Sequence, residues 1–98
     1  MQITFNFSFK GLDGKDVKGD NANKTLASTL AALNKGNSIK LWDWAQKWYN
    51  DKTVELDFSD TEVLIGLIET AENLTALAKA QLLTHIDENK AVLKRAKA

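Results

Sequence analysis

All four Trp and Tyr side chains of the chain fall within eight residues, as Trp42, Trp44, Trp48 and Tyr49 in the segment Ile39-Lys-Leu-Trp-Asp-Trp-Ala-Gln-Lys-Trp-Tyr. The chemistry of such a cluster is contact rather than reaction, because Trp and Tyr are enriched in buried interfaces and often dominate their binding energy. On a helix, at ~100° per residue, Trp42 and Tyr49 share one face, while Trp44 and Trp48 share nearly the opposite one. A small domain needs only one aromatic face for its core. The expected contact surface is therefore Trp44 and Trp48 as anchors, with Lys40 and Lys47 at the rim. The competing reading puts this helix at the centre of the fold, with Lys stems lying over Trp44 by cation–π attraction.

Residue types that could do reactive chemistry are present without the spacing it needs. Asp57-Phe-Ser-Asp-Thr-Glu62 lacks the central glycine and the ligand spacing of a calcium loop. It suits the first turn of a helix, where carboxylates oppose the positive dipole end. His85 is the only histidine and no cysteine accompanies it, so the usual zinc site is excluded. At four-residue spacing it lines up with Gln81 and Asn89, a polar row expected where core packing ends, with a self-association seam as the alternative. Gly11-Leu-Asp-Gly14 reads as a turn, since no Gly-Lys-Ser/Thr follows. Ser8, Ser28, Ser38 and Ser59 show no nucleophile elbow. The expectation is no enzyme, with no catalytic residue, metal, cofactor or small-molecule substrate.

The elements that must position these residues follow from periodicity. Residues 2–9 alternate, with Ile3, Phe5, Phe7 and Phe9 on one side, as a strand with one buried face. The Gly11–Gly14 turn leads to a second strand from Asp16. A helix is expected from Lys24 to about Asn34, carrying Leu26, Leu30 and Leu33, with Gly36 as its C-cap. Ser38 would cap the aromatic helix, and Val54, Leu56 and Phe58 would point inward from a third strand. Ser59-Asp-Thr-Glu62 has the capping-box pattern for a third helix, with Val63, Leu64, Leu67, Ile68 and Ala71 in its stripe. A last helix is expected from Leu74 to about Asn89. The order predicts an α+β fold: a small antiparallel sheet, made of the amino-terminal hairpin and a short third strand, packed against about four helices. Residues 1–89 form its single domain, and 90–98 form a basic tail or frayed helix end.

Ninety-eight residues suit one core, and 44% apolar with 27% charged residues is ordinary for a globular chain. Net charge is zero but unevenly spread. Residues 51–72 hold seven acids against Lys52, and the chain ends Lys90-Ala-Val-Leu-Lys-Arg-Ala-Lys-Ala. With a single arginine and no basic surplus, nucleic acid is the lesser partner expectation. The longest apolar stretch, Val63 to Ile68, is too short to span a bilayer, so no membrane partner is expected. The expected location is the cytoplasm of a host cell, or a virion.

Phe9-Lys-Gly-Leu-Asp-Gly-Lys15, Ile39-Lys-Leu-Trp-Asp-Trp-Ala45 and Leu74-Thr-Ala-Leu-Ala-Lys-Ala-Gln-Leu-Leu83 together resemble short uncharacterised proteins encoded by phages and prophages. The resemblance spans most of residues 3–85 and carries no agreed activity. It implies a phage gene product engaged in assembly. The functional expectation is an accessory or structural protein acting through protein–protein contacts or self-association. The alternative is a small nucleic-acid-binding regulator using Trp44, Lys40, Lys47 and the basic tail.

Overall fold

The alternation from Ile3 to Phe9 is realised as burial: Ile3, Phe5 and Phe9 are in the core, and Phe7 is half-buried against it. The backbone carrying them is not one strand. In the computed structural model, which describes residues 1–33 and 37–97 and the side chains of 1–17, 21–33 and 37–90, it divides into β1 (Gln2–Ile3) and β2 (Ser8–Lys10). Between them Phe7 N–H donates to Phe5 O at 2.9 Å, a tight three-residue turn at Asn6.

The turn lets the chain change partners. β1 pairs antiparallel with β4 (Val54–Glu55), Ile3 opposite Val54. β2 pairs antiparallel with β3 (Asp16–Asn21), with an irregularity between Ser8 and Lys10. The antiparallel α+β class is thus adopted, but as two two-stranded sheets rather than one of three strands. Gly14, at φ +79°, makes the β2–β3 turn in a backbone region that costs glycine nothing.

Among the described residues four helices cover these strands: α1 (Ala22–Ala31), α2 (Ser38–Tyr49), α3 (Phe58–Thr70) and α4 (Ala76–Lys97). All four starts differ from the sequence expectation, α1 beginning at Ala22 rather than Lys24 and ending at Ala31. Asn37, not Ser38, caps α2, its side chain accepting from Lys40 N–H at 3.1 Å. Asp57 caps α3, accepting from Asp60 N–H at 2.7 Å, so the helix begins earlier than a capping box at Ser59 would place it. Phe58 then sits in the first turn and is 79% exposed instead of pointing inward from a strand. Thr75 Oγ1 accepts from Ala78 N–H at 3.2 Å at the head of α4, which runs past Asn89 to Lys97. The expected Gly36 cap lies outside the described residues.

α2 ends in a Schellman motif. Asp51 N–H donates to Trp48 O at 3.0 Å and Lys52 N–H to Lys47 O at 2.8 Å, with Asp51 at φ +58°. Its carboxylate accepts from the buried Asn23 side chain at 3.0 Å, tying the end of α2 to the start of α1. The core that results joins the segments of β1, β2 and β4 to all four described helices: Phe5 and Leu56 lie beside the strands, and Leu26, Trp48, Leu64 and Ile86 come from the helices, all fully buried.

Candidate functional site

α2 does present two aromatic faces, and the packing assigns them the other way round. Leu41, Trp44, Ala45 and Trp48 are buried, Trp44 at 4% exposure and Trp48 at 0%. Trp48 Nε1 donates to Ile3 O at 3.1 Å, and its ring meets the Phe5 ring edge-on at 4.9 Å. Trp44 packs beside it, centroids 5.9 Å apart. The expectation of Trp44 and Trp48 as surface anchors is therefore corrected: both serve the core, where a partner cannot reach them. Removing either would leave a cavity.

Their lysine rim is also engaged within the fold. Lys40 Nζ bonds Asp60 Oδ1 at 2.7 Å and lies 5.9 Å above the Trp44 ring, linking α2 to the first turn of α3. The hydrogen bond and charge of Asp60 raise the Lys40 pKa above its ordinary value. Conversely, the hydrogen bond from Lys40 is the largest influence lowering that of Asp60. Lys47 pairs with Asp43 one turn away at 3.0 Å. All four residues expected at the contact site are thus committed to packing or pairing.

The face left open carries Ile39, Trp42 and Tyr49, at 83%, 55% and 51% exposure. Trp42 and Tyr49 stand over a cleft of about 360 Å³ between α1 and α2, with Ala27, Ala31, Ala45 and Gln46 also in its wall. Small side chains on the facing surface of α1 are what leave this cleft open. A second depression of about 270 Å³, bounded by Leu30, Leu33 and Leu41, shares Trp42 and extends the trough. Lys24 Nζ lies 5.8 Å above the Tyr49 ring at the far rim. Sequence reasoning missed Trp42 and Tyr49 as the exposed pair. The signal was there: Leu41, Trp44, Ala45 and Trp48 follow the i, i+3, i+4, i+7 spacing of a core face. The other stripe is interrupted by Gln46.

The Gln81–His85–Asn89 row of α4 also has a role that periodicity did not reveal. Gln81 accepts from Lys10 N–H at 2.7 Å and donates to Lys10 O at 2.6 Å, filling the place of a neighbouring strand beside β2. His85 Nε2 donates to Thr4 O at 2.6 Å, and its ring lies 5.1 Å from Phe5 and 4.9 Å from Phe7. Asn89 Nδ2 donates back to His85 O at 2.8 Å. Gln81 and His85 thus fasten α4 to the amino-terminal segment.

Among the described residues, no three of His, Cys, Asp and Glu converge to hold a metal ion. None of the described helices is long and apolar enough to cross a membrane. A polar hollow of about 290 Å³ near Asn6, Asn21, Lys24 and Asp51 borders Tyr49 from the other side. What the site offers chemically is an aromatic-walled apolar trough with one cation at its rim. No protein-family model, curated protein or solved structure matches the chain.

Proposed function

We propose that this chain is a non-enzymatic, phage-type accessory or structural protein that acts by binding protein through the α1–α2 trough. The observation that carries the reading is the exposure of Trp42 and Tyr49 on a helix whose other aromatic pair already completes the core. Exposed Trp and Tyr over an open apolar hollow are the ingredients of an interface centre once a partner excludes water from it. The phage context comes from the resemblance of residues 3–85 to phage and prophage proteins, which points to assembly work.

The nucleic-acid alternative has less to stand on. A lysine–tryptophan face would need its ring free to stack a base, whereas Trp44 is core and Lys40 and Lys47 are paired with carboxylates. The test is affinity capture from nuclease-treated bacterial host extract, using wild type, Trp42→Ser with Tyr49→Ser, and Val63→Ser as a control on α3. The proposal expects specific protein capture that the double variant loses and the control keeps. Equal capture by all three would remove the trough from the function.

A further inference from the structure

Asp13-Gly14 is the only Asp-Gly dipeptide of the chain, and Asn-Gly does not occur in it. A glycine after an aspartate matters chemically. The backbone nitrogen that follows can reach the carboxyl carbon most easily where no side chain stands in its way. The pair lies at the tip of the β2–β3 hairpin, where Leu12 is fully exposed and Asp13, Gly14 and Lys15 are exposed with it. A Cβ at Gly14 would meet nothing within 4 Å, so the space around it is open.

The side chain is already turned toward the peptide that follows it. Asp13 Oδ1 accepts from Lys15 N–H at 3.0 Å, which curls the carboxyl group back over the Gly14 peptide. Gly11 leaves room for this, since a Cβ there would stand 3.2 Å from Asp13 Oδ1. Little holds the tip closed. Gly14 N–H donates to Gly11 O at 3.0 Å across an exposed turn, and local opening of such a turn frees the nitrogen without disturbing the core. Asn37-Ser38 is held by contrast: Asn37 Oδ1 accepts from Lys40 N–H at 3.1 Å as the cap of α2.

We propose that Asp13 is a site of spontaneous covalent modification, isomerising to isoaspartate through a succinimide formed with Gly14. Gly14 N attacks Cγ of the neutral Asp13 carboxyl group. The new C–N bond closes the succinimide ring, and the amide proton leaves with the carboxyl hydroxyl as water. One water then adds back. At Cγ it regenerates aspartate; at the former backbone carbonyl it gives isoaspartate, with the main chain now running through Cβ and Cγ. Water is the only co-reactant, and the overall mass is unchanged. Holding nucleophile and carboxyl carbon in one turn makes the attack intramolecular, which is what gives it a useful rate. The product turn is one methylene longer beside the Lys10–Asp16 pairing of β2 and β3. The change lies in the hairpin and is independent of the α1–α2 trough.

The test holds purified, folded protein for several weeks at physiological temperature and mildly acidic to neutral pH. Peptide mapping by mass spectrometry with electron-based fragmentation then distinguishes isoaspartyl from aspartyl backbone. Isoaspartate at position 13 should accumulate with time in the wild type. Asp13→Asn should give the same product faster, because a carboxamide, unlike a carboxylate, is always open to attack. Asp13→Glu should give none, since its longer side chain would have to close a larger ring. Circular dichroism should show both variants folded, because the position is exposed. A folded wild type whose isoaspartate at position 13 never rises above the starting level overturns the proposal. So does isoaspartate that appears there only when the chain is unfolded in urea, which would mean that the turn prevents the reaction.

Discussion

Trp48 shows how one side chain can fix a fold's interior. Its ring fills the core and meets Phe5 edge-on, while its only polar atom donates to the Ile3 carbonyl. Trp48→Ala should cost about 3–5 kcal/mol, from the lost transfer energy, the cavity and an acceptor left without its donor. Urea unfolding measures it, and a loss below ~1 kcal/mol would contradict the assignment of Trp48 to the core. Thr4 is the opposite case. Its Oγ1 is buried without a hydrogen-bond partner, while its backbone carbonyl is held by His85. Thr4→Val replaces the unpaired hydroxyl with a methyl group and should raise stability by about 1 kcal/mol. Residue types were a good guide to burial along residues 3–9 and within the helices. They did not disclose the roles of His85 and Gln81, because both depend on backbone groups more than seventy positions away in the chain.

Helices were more legible than strands because their signals are local. The apolar spacings of α1, α2, α3 and α4 repeat every three or four residues, and each helix appears where that pattern runs. Boundaries shifted by the choice between adjacent cap residues, as with Asn37 over Ser38 and Asp57 over Ser59. The strand expected over residues 2–9 broke at Asn6, where neither Gly nor Pro marks a turn. Its two halves pair with β4 and β3, and partner choice at that range is not written in alternation. Between α2 and α3, the Lys40–Asp60 pair gives a pH-dependent link. Lys40 holds the Asp60 carboxyl below its ordinary 3.8, so its stabilising contribution is present above that value. It is lost as pH falls through the lower folded-state value. Lys40 is raised above 10.5, so its contribution persists up to that value and is lost only as pH rises through the higher folded-state value. Asp60→Asn should therefore flatten the acid limb of stability below pH ~4 while leaving the shape near neutrality unchanged, read as the urea midpoint against pH. An unchanged acid limb would mean that the pair contributes nothing to the folded state.

For the molecule as a whole, the question is how one helix divides its aromatic side chains. α2 carries an apolar arc wider than a single core contact requires, and the sequence alone leaves open which half turns inward. The packing of α1 and the Ile3 segment against Leu41, Trp44, Ala45 and Trp48 decides it. That decision transfers the candidate contact surface to Trp42 and Tyr49, over a trough that the small residues of α1 keep open. The net charge of zero gives no overall charge to draw in a partner from a distance. Recognition therefore rests on this patch. The most direct test is equilibrium urea unfolding of Trp42→Ser with Tyr49→Ser at a dilute concentration where chains are separate. Stability within about 1 kcal/mol of wild type is expected, because neither ring contributes to the core. A loss of about 3 kcal/mol or more, the size of a core aromatic truncation, would place that pair in the interior and leave the protein without the surface on which its proposed function depends.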